Sequence, residues 1–363
     1  MRSDVLGEER SYWVSVPDSY RDSKYAPRRY PVLYLLDGGA NFHSATGTVR
    51  FMSSGLSGNI QIPELIIVAV LNTDRTRDLT PTHTRQRPEG DDPALKNSGG
   101  GDAFLRFLND ELFPHVDRTY RTSRYRIIVG HSFGGLIALH ALQSAPNMFQ
   151  GYVAIDPSVF WDDQILARRA RLRPMNGDGR PRSVYLCLSK SYTGGYTGEA
   201  ATTFSKLLEA RARAGLRSTL QYFEAEIHQS VPHIGLYYGL LFLFDGYRIT
   251  PGQMFEQASS LAVHFATIAT RLGVDVADLL PPEQAIDQVA HAFLKAKQVD
   301  KAIDLFKFNI SSHPTSFNAY DGLAQAYVDK GEIQLAIDNY ERSLRHKPDN
   351  QEVTRRLADL RTR

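Results

Sequence analysis

From residue 31 to about 230, the chain alternates short, almost wholly apolar runs with stretches of helical spacing. The apolar runs are "PVLYLLD", "ELIIVAVL", "YRIIVG", "YVAID", "SVYLCLS" and "STLQYFEAEI". Runs that are apolar at nearly every position suit strands buried on both faces. Between them, "DAFLRFLNDELFPHV", "FGGLIALHALQSA" and "GEAATTFSKLLEARARAG" carry apolar residues at helical intervals, with Gly or Pro at the joins. Strand–helix alternation predicts a mainly parallel sheet covered by helices, an α/β fold. The front segment "RSYWVSVPDSY" is expected to add an edge strand.

The pattern changes after residue 250, where no further strand is predicted. Residues 253–271 read as one helix and "GVDVADLLPP" as a linker. A repeat follows. "AIDLF" begins at Ala302 and "AIDNY" at Ala336, an offset of 34 residues (336 − 302 = 34). Ala290 with Ala324, Phe293 with Tyr327, and "HP" with "KP" keep the same offset. A helix–turn–helix period of this length resembles tetratricopeptide repeats. The second copy, 317–350, matches that pattern better than the first, 283–316, which has Ile286 and Lys297 where an aromatic and a glycine are usual. The expected organisation is therefore an α/β unit over 1–250, a helix and linker over 251–282, and an all-α repeat module with a capping helix over 283–363.

The chemistry concentrates at "YRIIVGHSFGGLIALHAL", a strand, a glycine-flanked serine and a helix. Gly130, Ser132 and Gly134 make G-x-S-x-G, the turn that presents a serine hydroxyl above a sheet edge. The N–H of Phe133 then points where an oxyanion would form. A serine needs a base to take its proton, and in folds built on this turn the chain order is Ser, acid, His. His228 follows a predicted strand directly and is the expected base. His233 opens the next helical run, His131 is expected beside the serine with its side chain pointing away from it, and His115 and His140 read as structural. The acid is expected after "SVYLCLS", where Glu199 is the carboxylate of the loop; Asp156, or no acid at all, are the alternatives. The second oxyanion donor is expected at the backbone N–H of Gly39, after "PVLYLLDGG". The spacing of His228 and His233 does not suit a metal, and no cofactor is called for.

Composition narrows the partners. Lys plus Arg number 42 and Asp plus Glu 40, too even a balance for a nucleic-acid or membrane footprint. The single cysteine, Cys187, lies in an apolar run and reads as a core thiol. The N-terminal residues lack the apolar region of a signal peptide, so a cytoplasmic location is expected.

With "YPVLYLLDGGANF", "NTDRTRDLTPTH", "GHSFGG" and "DPSVFWDD" in view, residues 5–250 resemble the esterase family of α/β-hydrolases. The nearest branch is that of the ferric-enterobactin and ferri-bacillibactin esterases. The resemblance implies an α/β-hydrolase fold and hydrolysis of carboxylic esters through an acyl-enzyme, with siderophore trilactones as a narrower substrate class. It implies Ser132 as nucleophile, His228 as base and Gly39 as oxyanion donor, with Arg77 and Asp78 shaping the pocket rim. The partners expected are a small-molecule ester and, through the repeats, a protein partner or a second copy. A binding adaptor acting through the repeats is the reading from another class.

Overall fold

The computed structural model describes residues 1–22, 27–53, 60–87, 90–172, 178–210, 215–248, 250, 260–281 and 283–362. Seven strands form the main sheet: β1 (Tyr12–Ser15), β2 (Tyr30–Leu35), β3 (Ile66–Val70), β4 (Thr122–His131), β5 (Gly151–Ile155), β6 (Arg182–Ser189) and β7 (Leu216–Phe223). Their order is β7-β6-β5-β4-β2-β3-β1. All neighbours run parallel except β1, which pairs antiparallel with β3 at the edge. Every predicted strand is present. Each residue of β2, β3, β5 and β6 is buried, as the apolar runs at their centres suit.

Successive strand residues feed two cores, because a strand sends side chains alternately to its two faces. Leu33, Leu35, Val153 and Ile155 face one side, against α1 (Gly38–Ser53). Val32, Tyr34, Tyr152 and Ala154 face the other. There they meet a helix running through Gly101–Arg106, Phe107–Leu112 and Phe113–Thr119, whose middle segment is π-helical (α2), and α3 (Phe133–Ser144). The same side carries α4 (Trp161–Leu172), with a left-handed first turn at Asp162–Gln164, and α5 (Gly195–Glu209). On the α1 side also lies α6 (Val231–Leu243). Cys187 is a buried thiol of that core, and burial pushes its pKa up.

The rest is helical: α7 (Leu261–Leu272), α8 (Glu283–Lys295), α9 (Val299–Ser312), α10 (Phe317–Lys330), α11 (Ile333–His346) and α12 (Gln351–Arg361). Part of the helix expected over 253–271, residues 253–259, lies outside the described residues. Helix starts recur at one interval: α8, α10 and α12 begin at 283, 317 and 351 (317 − 283 = 34; 351 − 317 = 34). Even the turns match. Gly331 ends α10 with φ 84°, and Lys297, in the equivalent place, takes φ 59°. Left-handed backbone is free for glycine and costs an L-residue about 1–2 kcal/mol.

The helical extension is welded to the sheet rather than strung from it. The core on the α1 side continues through Leu243, Phe244 and Tyr247 into Leu261, Phe265, Phe308 and onward. Phe265 packs 5.6 Å from Tyr247 and stacks 6.2 Å from Phe308. Arg28, just ahead of β2, pairs with Glu64 and donates to the carbonyl of Leu280 at 3.0 Å. Arg217, at the start of β7, and Arg271 of α7 share Asp245. These contacts gather at the strands' N-terminal ends. Among the described residues, no helix is long and apolar enough to cross a membrane.

Candidate active site

The polar constellation lies at the opposite end, where the strands finish. Ser132 follows β4 with φ 58° and ψ −116°, a strained turn for an L-residue. Its amide donates to the carbonyl of Ile155 at 3.0 Å, which ties the turn to β5. Gly130 is obligatory here: a Cβ on it would lie 2.2 Å from the backbone of Gly134. The serine hydroxyl is thus held off the sheet, with Oγ 3.4 Å from Ser158 Oγ.

His228 sits in the turn between β7 and α6, with its side chain 23% exposed. Its Nδ1–H donates to Asp156 Oδ2 at 3.0 Å, which leaves Nε2 as the basic nitrogen. Asp156 is 0% exposed, directly follows β5, and has φ 41°. A buried carboxylate must be well bonded, and this one is. Besides His228 it accepts from Ser189 N at 2.6 Å and Ser189 Oγ at 2.5 Å. Ser132 Oγ and His228 share no hydrogen bond among the described residues; such bonds are often long until substrate arrives.

Glu199, the carboxylate expected from the sequence, lies elsewhere. It is exposed in the first turns of α5, and the stretch read as a loop around it is helix from Gly195. The carboxylate that holds His228 comes from β5, one strand nearer to Ser132 in the sheet. His233 is exposed near the start of α6. His140 is buried and bonded to Asp102 at 2.6 Å.

His131 does more than the sequence suggested. Its ring packs 4.2 Å from that of His228 at a 41° tilt. Burial, reinforced by His228, pushes its imidazole down to about 4. The ligand atoms of His131, Asp156 and His228 lie within 4.8 Å of one another, a metal-like grouping. Two features oppose that use. The nearest histidine nitrogens, His131 Nε2 and His228 Nδ1, lie 3.3 Å apart, within hydrogen-bond range of each other, and the Asp156 oxygens are committed to Ser189 and His228.

The glycine loop after β2 is braced from the side. Asp37, with φ 52°, accepts Arg75 Nε at 2.7 Å, Arg75 Nη2 at 2.9 Å and Asn72 Nδ2 at 2.7 Å. Arg75 Nη2 also donates to the carbonyl of His131 at 3.2 Å, and its guanidinium lies over the Phe133 ring. One side chain thus joins the loop of Gly39 to the turn of Ser132. Gly39 and Phe133 each lie in the first turn of a helix, where N–H groups lack partners within the helix. Of the two residues expected at the rim, Asp78 faces inward and Arg77 is partly exposed. Asp78 is buried, paired with Arg10 at 2.5 Å and Arg77 at 2.7 Å. Arg77 also pairs with Glu8, which pulls that carboxyl down to about 2.

The chain is similar to known esterases in sequence and fold. The family described as "Putative esterase" matches residues 3–203. Ferri-bacillibactin esterase of Bacillus subtilis is 28% identical over 238 residues, 62% of this chain and 81% of that protein. The siderophore enterobactin esterase of Emericella nidulans is 37% identical over 150 residues, 38% of this chain and 50% of its own. The crystal structure of an IroE-like serine hydrolase from Shewanella oneidensis matches with a TM-score of 0.74 at 30% identity, covering 85% of this chain and 96% of that one.

Proposed function

Because the chain belongs to the "Putative esterase" family and is an ester-cleaving hydrolase of the serine type, we propose that it opens the ester bonds of a siderophore through an acyl-enzyme. Ser132 Oγ attacks the ester carbonyl carbon. Nε2 of His228 takes the hydroxyl proton and returns it to the departing alkoxide. Asp156 holds the imidazole by Nδ1 and stabilises the imidazolium that forms. The N–H groups of Phe133 and Gly39 receive the oxyanion. Water, activated by the same histidine, then releases the acid. The observation that carries this reading is the bond from His228 to a fully buried carboxylate beside a serine in a left-handed turn.

The siderophore class rests on the relatives, which are named for bacillibactin and enterobactin esters. Tyr196, 40% exposed, and Tyr222, 45% exposed, lie near the C-terminal ends of the strands and offer flat faces to aryl groups. The run "LARRARLRP", 166–174, is basic, as an anionic siderophore would favour, but two of its four arginines give that no support. Arg168 is paired with Asp163, and Arg173 lies outside the described residues. The helical extension, with its constant interval, is proposed to be a pair of tetratricopeptide-type repeats and a cap.

The test compares a triscatecholate trilactone with nitrophenyl butyrate, alongside labelling by a serine-reactive phosphonate. Cleavage of the trilactone at the higher kcat/KM is expected, with label on Ser132 and both lost in Ser132→Ala. Preference for the nitrophenyl ester would make the chain a general carboxylic esterase instead. Labelling that persists in Ser132→Ala would remove the serine from its role.

A further inference from the structure

The segment that links β6 to α5 supplies no group to the reaction just described, yet it touches both of the groups that manage its proton. Ser189 closes β6 and gives Asp156 two bonds, from its amide and its hydroxyl. The next residue, Lys190, donates its amide to the carbonyl of Glu226 at 3.0 Å, in the loop that carries His228. Two residues on, the Tyr192 ring lies flat on the His228 ring, with centroids 4.4 Å apart and planes 5° from parallel. All of this happens within the short turn Lys190–Tyr192 and the residue before it.

Resting on the reading of His228 as the base, we propose that Ser189 and Tyr192 are positioning residues, the first for the carboxylate and the second for the imidazole plane. Hydrogen-bond contacts at Nδ1, with Asp156 Oδ2 at 3.0 Å and His131 Nε2 at 3.3 Å, fix one atom of His228 but leave the far side of the ring able to swing. Proton transfer needs Nε2 in a fixed direction, since small misplacements of a reacting group are costly. A flat neighbour in van der Waals contact removes the swing. The His131 ring is a second wall against the same imidazole.

The choice of ring also suits the charge that develops. When His228 takes the proton of Ser132 it becomes a cation, and the face of a phenol ring is electron-rich. Tyr192 therefore favours the imidazolium without competing for its N–H groups. The stacking is made by the ring, so phenylalanine should serve as well. Because Lys190 fastens the segment to the loop of His228, carboxylate, imidazole and cover stay in register with one another.

The experiment is steady-state kinetics of the full chain on nitrophenyl butyrate, with thermal unfolding of each variant in parallel. Tyr192→Ala is expected to lower kcat about tenfold with KM within about twofold, and Tyr192→Phe to restore the parent values. Ser189→Ala should lower kcat by a similar or larger factor. Unfolding temperatures should stay close to that of the parent for both tyrosine variants. Unchanged kcat in Tyr192→Ala overturns the proposal. So does a rise in KM alone, which would make the ring a substrate contact, or a phenylalanine variant as slow as the alanine one. Activity that survives Ser132→Ala would bring down the base assignment and this proposal together. Loss in Ser132→Ala beside an unaffected Tyr192→Ala would bring down this proposal only.

Discussion

The two ends of the central sheet are built on opposite terms. Seven non-glycine residues of the described chain have positive φ. Asp37, Ser132 and Asp156 finish or follow strands at the C-terminal end, and Asp162–Gln164 open the helix after β5. The remaining one, Lys297, is in the helical extension. At the N-terminal end the backbone is ordinary, and cohesion comes from aromatic packing and a buried arginine–glutamate pair. Strain persists only where its surroundings over-determine it, and strands buried on both faces do that. The sheet thus spends its rigidity at one end to aim a few atoms, and uses bulk contact at the other to hold its extension.

Substitutions can break this contrast in order of their expected effect. Asp156→Asn should cost the most in activity, about a thousand- to ten-thousand-fold in kcat, because the amide no longer holds the imidazole tautomer. Glu199→Gln, assayed beside it, should leave kcat unchanged; a reversed pair of results would return the acid to α5. At the other end, Phe265→Ala should cost about 3–5 kcal/mol of stability in a denaturant titration, with kcat little altered at temperatures where the chain stays folded. A loss of activity without a loss of stability would mean that the extension reaches the catalytic end after all. The smallest effect is expected at the repeat turn. Lys297→Gly should raise stability by about 1 kcal/mol, since glycine adopts φ 59° without strain. No gain there would show that Lys297 makes compensating contacts.

Much of this contrast was legible in the sequence, and the part that was not is instructive. Buried strands announce themselves by continuous apolar residues, and each of the predicted strands was found within a few residues of its place. Ser132 could be located because its turn demands Gly130, a steric need written in the chain. His228 was expected from chain order and its position after a strand. The carboxylate bonded to it was not, because chain order constrains which strand precedes the histidine but not which side chain reaches it. Asp156 ends the strand adjacent to that of Ser132, a lateral neighbourhood set by sheet order. Its signal was present, the carboxylate that closes "YVAID", but only the sheet order raises it above Glu199. The brace made by Arg75 and Asp37 joins residues 38 positions apart and has no local signature.

The continuous core between sheet and extension bears on how such a chain could change over evolutionary time. A gene fusion that simply appended a helical cassette would leave a seam that recombination could reopen. Here a crossover in the stretch before Glu283 would strip Phe265 of Phe308 and cut through one shared core. The orphaned surface would be apolar and broad, inviting self-association rather than yielding a smaller working enzyme. In this chain the extension and the catalytic fold therefore stand or fall together as one packed unit.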